Sequence, residues 1–60
     1  MIYKQFQKVQ IEIPPRKRKK KQFDNKIGYI KHEFTEGAIV VFDDGQREIF
    51  LHNELRQISP

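Results

Sequence analysis

From Val9 to Ile13 the chain alternates strictly. Val9, Ile11 and Ile13 fall on one face, and Gln10 and Glu12 fall on the other. That period of two predicts a half-buried strand. Residues 1–8 are less regular, with Ile2, Tyr3 and Phe6 set among Lys and Gln, and extend the strand through a bend. Pro14-Pro15 ends it, because neither residue can donate to a ladder. Residues 27–32, Ile-Gly-Tyr-Ile-Lys-His, read as a second strand. Gly28 inside it marks a bulge or a close approach of two backbones. A turn lies between Glu33 and Gly37. Residues 38–42, Ala-Ile-Val-Val-Phe, form the most apolar run and predict a third strand. Asp43-Asp44-Gly45 is a turn signal, because Asp-Gly suits positions that need φ > 0. Residues 46–51 return, so 38–51 reads as a β-hairpin. His52-Asn53-Glu54-Leu55 predicts one helical turn with Asn53 as its cap. Arg56-Gln57-Ile58 is a last short strand.

These elements describe a single all-β domain over residues 1–60. The expected architecture is a small SH3-like barrel of about five strands, with one short helical turn before the last. Barrel closure removes sheet edges that a lone hairpin would leave open. The expected core is Val9, Ile11, Ile13, Ile27, Ile30, Ala38, Val40, Phe42, Ile49, Leu51, Leu55 and Ile58. Phe50 alternates out of phase with Ile49 and Leu51. It is either an exposed stacking platform or a second-layer core residue, and the core is favoured.

Composition narrows the class. A chain of 60 residues removes only about 60% of its unfolded surface from water, so its stability is marginal. There is no Cys, hence no disulfide and no thiolate metal site. No apolar run approaches about 18 residues, and the N-terminus has no signal-like stretch. A small cytoplasmic protein is expected, and the opening Met1 suits a small bacterial or phage accessory protein.

The charge is lopsided. The net charge is +4. Residues 1–32 carry ten basic side chains against two acids, whereas residues 33–60 carry two against six. Half of the positive charge sits in Arg16-Lys17-Arg18-Lys19-Lys20-Lys21. Six adjacent like charges repel, so 14–26 reads as a basic, mobile loop without burial to hold it. Such a segment points to a polyanionic partner, with nucleic acid first and an acidic protein or anionic membrane behind it.

Two families share parts of this pattern. The stretch from Gly37-Ala38-Ile39-Val40-Val41-Phe42-Asp43 through Arg47-Glu48-Ile49-Phe50-Leu51 to Leu55 and Ile58 resembles the last three strands of SH3-like nucleic-acid domains. The C-terminal DNA-binding domain of retroviral integrases has a similar hairpin, short helical turn and terminal strand. Tudor-type domains have a similar hairpin too, although no aromatic cage maps onto this chain. The likeness covers about 24 of the 60 residues and bears on fold more than function. Separately, Asp43-Asp44-Gly45 through Ile49-Phe50-Leu51-His52 is similar to a cold-shock segment in which an aromatic and a His stack on bases. That resemblance implies stacking by Phe50 and His52. The family's Gly-aromatic motif is missing from Gly37 to Val41, and Ile27-Gly28-Tyr29-Ile30, which looks like it, lies too far upstream.

The basic run has three readings: a phosphate-binding arm, a nuclear localisation signal in a eukaryotic or viral setting, or a solvated loop. Phe23 and Tyr29 flank it and suit base stacking, with burial in the core as the alternative for both. His32 and His52 with Glu33 or Glu54 match no metal-ligand spacing. The only Ser is Ser59, and there is no nucleophile elbow or phosphate-binding Gly loop. No cofactor or enzymatic activity is expected. The expected function is largely sequence-independent binding of DNA or RNA through Arg16, Lys17, Arg18, Lys19, Lys20, Lys21, Phe23, Lys26, Tyr29 and Lys31. The alternative is a protein-interaction module of adaptor type, such as a phage or bacterial regulator of a host protein.

Overall fold

The computed structural model describes residues 3–58. Ile2 and Ser59 lie outside them. The fold is all-β, with five strands in one antiparallel sheet and two single 3-10 turns. The strands are β1 (Lys8–Ile11), β2 (Ile27–Glu33), β3 (Gly37–Val41), β4 (Arg47–Leu51) and β5 (Leu55–Gln57). Their order in the sheet is β4-β3-β2-β1-β5. The chain meanders from β1 to β4. A 3-10 turn at His52–Glu54 then returns it to β1, where Val9 pairs with Gln57 and Ile11 with Leu55.

All five strands feed one core. Val9, Ile11, Ile30, Ala38, Val40, Phe50 and Leu55 are buried together with Ile13, Phe23 and Phe42. A sheet whose two edge strands share a core must curl, and the result is a small barrel-like globule. The curl does not close by hydrogen bonds, for β4 and β5 remain the edges of the sheet. This departs from the expectation that closure removes the edges.

The alternation in β1 sets the inward face as expected. In β4 the parity is the reverse of that expected. Phe50 is fully buried, and Ile49 and Leu51 are exposed. Pairing explains it, because Phe50 faces Ala38 across the ladder, so the two share the inner face. Ile27 is also exposed, since it pairs with Gln10 on the outer side of β1. The expected core positions Ile27, Ile49 and Leu51 are thus corrected to surface positions, and Phe23 and Phe50 take the inner volume. Ile58 is half-buried.

Turn chemistry is largely local. Gly45 has φ 87°. Its N–H donates to Phe42 O at 2.9 Å, and the Phe42 N–H donates to Gln46 O at 2.9 Å. The left-handed residue after the Asp-Asp pair is what a three-residue hairpin loop requires. Gly28 meets a different need. A Cβ there would lie 2.5 Å from Val40 Cγ1 and 2.8 Å from the Val41 carbonyl oxygen. The register shift in β2 falls later, between Ile30 and His32. Asn53 does not cap the second 3-10 turn. Glu54 caps it instead, its Oε1 accepting the Leu51 N–H at 2.8 Å.

Two substitutions separate these roles. Gly45→Val meets open space, so its cost is the left-handed backbone alone, about 1–2 kcal/mol. Gly28→Ala must displace packed atoms and should cost about 1–3 kcal/mol. Urea unfolding of both variants, with unchanged slope, checks the hairpin and the β2–β3 contact. Parent-like midpoints for both would contradict these assignments.

Candidate nucleic-acid interface

The segment joining β1 to β2 carries the six cations and is bound to the barrel along its length. The Lys17 N–H donates to Pro14 O at 3.0 Å, closing a turn just after the prolines. A 3-10 turn at Lys21–Phe23 follows, entered through Lys20 at φ 63°. The Phe23 ring then inserts into the core. It stacks on Phe42 at 5.1 Å between centroids and meets Phe50 edge-on at 5.6 Å. Beyond it, Asp24 Oδ1 accepts the Ile13 N–H at 2.9 Å, and the Asn25 N–H donates to Ile11 O at 2.7 Å. The burial that the charge run alone does not supply comes from the phenylalanine two residues after it.

That insertion corrects the role expected for Phe23. Its ring is 5% exposed and cannot offer a face to a base. Phe50, given a stacking role by the cold-shock resemblance, is likewise fully buried. His52 is half-buried, and its ring stacks on Tyr3 at 5.9 Å.

The six cations divide into two sets. Lys17 Nζ donates to Glu54 Oε2 at 2.9 Å. Lys20 reaches the edge strand β4, where its Nζ donates to the Ile49 carbonyl, sits 3.7 Å from Glu48 Oε1 and lies 5.3 Å from the Phe50 ring centroid. Lys20 thus covers an edge carbonyl that strand pairing leaves open. Lys21 is exposed and donates to Pro14 O at 3.2 Å. Arg16, Arg18 and Lys19 are exposed, with no ion pair among the described residues. Lys26 is exposed over the Phe23 ring, 5.6 Å from its centroid.

Glu54 is the buried counterweight to this loop. Burial alone would raise its carboxyl pKa. The Lys17 hydrogen bond, the Leu51 N–H and the charges of Lys17 and Lys20 outweigh burial, and the net pKa is below the ordinary value of 4.5. A second buried carboxylate, Glu33, accepts the Tyr3 N–H at 2.9 Å and lies 3.7 Å from His52 Nε2. The Tyr3 hydroxyl pKa is raised, first by burial and then by the Glu33 charge. His52 also contacts Phe34 O at 3.3 Å. Among the described residues, no three His, Cys, Asp or Glu side chains converge as metal ligands do.

Tyr29 and Lys31 lie elsewhere. Both are exposed on β2, on the face of the sheet turned away from Phe23 and the core. The ten residues expected to act together therefore fall on two surfaces, the loop on one side and β2 on the other. The outer surface also holds Phe6, Lys8 and Arg47, all exposed. Lys8 shares phase with Gln10 and opposes Val9 and Ile11 in β1, and Phe6 lines a shallow depression with Tyr29, Lys31 and Val41. Among the described residues, no helix is long and apolar enough to cross a membrane. Set against known proteins, the chain matches no family model, no curated protein and no solved structure.

The Glu54 linkage gives a test. Its folded pKa is depressed, so its stabilisation is complete above the ordinary 4.5 and is lost as pH falls through the folded value. The parent should lose stability on acidification below about pH 4.5, and Glu54→Gln should lose less over the same range. Urea midpoints measured against pH check this; equal acid slopes for the two proteins would exclude Glu54 as the source. At neutral pH, Lys17→Met should cost about 1–3 kcal/mol by stranding the buried carboxylate.

Proposed function

We propose that this protein is a non-enzymatic nucleic-acid-binding domain that holds phosphates on its basic loop. The observation that carries the reading is the division of the cations. Lys17 and Lys20 fasten the loop, and that leaves Arg16, Arg18 and Lys19 exposed with no ion pair among the described residues. A loop held in place loses less entropy on binding than a free tail. Phosphate contacts of this kind do not read sequence, so binding is largely sequence-independent. The titratable groups best placed for chemistry, Glu33, Glu54 and His52, are occupied in packing and capping contacts. The SH3-like resemblance of the hairpin agrees with a binding domain of this size, in the cytoplasm or on the nucleoid.

A second reading, a protein-interaction module, is favoured by the exposed Ile27, Ile49 and Leu51. Salt separates the two. With Arg16, Arg18, Lys19 and Lys21 neutralising about four phosphates, the loop contributes a slope of roughly −2.8 on single strands or −3.6 on B-DNA to log K against log salt. Substituting Arg16, Arg18 and Lys19 together by Gln flattens the slope by about 2 on single strands. The same variant keeps parent stability to within about 0.5 kcal/mol, because its side chains are exposed. Electrophoretic shifts on single- and double-stranded DNA and RNA across a salt series provide the measurement. No shift near about 100 µM protein at low salt, the weak limit of ordinary non-specific affinity, refutes the reading.

A further inference from the structure

The outer face of the sheet has features that phosphate binding by the loop leaves unused. Phe6 is 68% exposed and has φ 65°. A bulky aromatic residue rarely adopts the left-handed region. Here the conformation is fixed by its own N–H, which donates to Ile30 O at 2.6 Å, and by the Gln7 N–H, which donates to Lys4 O at 3.0 Å. A strained backbone that leaves a phenyl ring in water gains nothing for folding from that ring. Beside it, Tyr29 is 39% exposed. Gln5, Phe6, Tyr29, Ile30, Lys31 and Val41 line a shallow depression of about 640 Å³.

The ladder places charge around these rings. Lys8 pairs with Tyr29, Tyr29 with Val41, and Val41 with Arg47. One row across four strands therefore has a cation at each end and an aromatic in the middle, with Lys31 at the rim of the depression. The row contains no carboxylate. Asp43 and Asp44 lie in the turn just beyond Val41 and Arg47, at one end of the hairpin. A polyanion is attracted to the row and repelled from that end.

We propose that this face is a stacking platform for single-stranded nucleic acid. The proposal rests on the nucleic-acid reading above and names its substrate class. Bases stack on Tyr29 and Phe6, and the neighbouring phosphates meet Lys8, Lys31 and Arg47. Single strands are preferred to duplex, because paired bases are stacked on one another and offer no free face to a side chain. The loop on the opposite side of the sheet binds phosphates of either form. The domain thus has a strand-selective surface and an indifferent one.

The test uses the whole chain and fluorescent oligo(dT) of about 12 nucleotides, within the roughly 4–16 nucleotides one small barrel domain occupies. A duplex of equal length is the control. Tyr29→Ala and Phe6→Ala should each weaken oligo(dT) binding by roughly 5- to 150-fold and leave duplex binding unchanged. Tyr29→Phe should keep its affinity, since the ring still stacks. The chain has two Tyr and no Trp, so oligo(dT) should quench tyrosine emission in the parent and much less in Tyr29→Phe. Thermal melts confirm that each variant is folded. Phe6 is the safer position, because it is 68% exposed and lies outside the buried core cluster. Parent-like oligo(dT) affinity for both alanine variants, with weakening only in the Arg16/Arg18/Lys19 triple variant, overturns the platform and spares the loop. Absence of binding by the parent removes the nucleic-acid reading itself. A parent that sediments as a dimer, broken by Tyr29→Ala without change in oligo(dT) affinity, assigns the face to a second copy and also overturns the proposal.

Discussion

The insertion of Phe23 between Phe42 and Phe50 is the contact on which the surface of this protein depends. Six adjacent cations repel one another and have no reason of their own to lie against a barrel. The Phe23 ring, stacked on Phe42 and edge-on to Phe50, draws the end of their segment into the core. Aromatic pairs of this geometry contribute about 0.5–1.5 kcal/mol beyond the area they bury. With that end fixed, Lys17 reaches Glu54 and Lys20 reaches the β4 edge. Repulsion then sends the remaining side chains outward.

The same insertion explains the division into two faces. The loop covers the inner side of the sheet and completes a core that five short strands could not fill alone. Among the described residues, the outer side has no covering layer. Its residues are those whose parity opposes the core, among them Ile27, Tyr29, Ile49 and Leu51. An apolar face bordered by the exposed Lys8, Lys31 and Arg47 is the result.

Charge follows the topology. Four of the six acidic side chains of the second half serve in two ways. Glu54 and Glu33 turn inward and hold backbone N–H groups, at Leu51 and at Tyr3. Asp43 and Asp44 stay at the hairpin tip, where Asp44 Oδ1 accepts the Gln46 N–H at 3.0 Å. The separation of sign along the sequence is only partly kept in space: Asp43 and Asp44 stay at the hairpin tip, whereas Glu54 and Glu48 meet Lys17 and Lys20 of the basic loop.

Elements governed by neighbours in sequence were legible from the sequence alone. The alternation at Val9, Ile11 and Ile13, the Asp-Asp-Gly turn and the apolar run at 38–42 each encode local geometry. They determine the strands, the hairpin and the all-β class. The basic run and its sign are legible for the same reason. Tertiary structure decided what depends on partners distant in the chain. Pairing with Ala38 turned Phe50 inward and put Ile49 and Leu51 outside. The core's need for volume took Phe23 away from the surface. Glu54, distant in sequence, took Lys17 out of the free set and left Arg16, Arg18 and Lys19 exposed. The ladder from Lys8 to Arg47 exists only once four strands align. Strand parity can be read from a short window, but which parity faces the core is fixed by packing across the sheet, where the contacts are long-range.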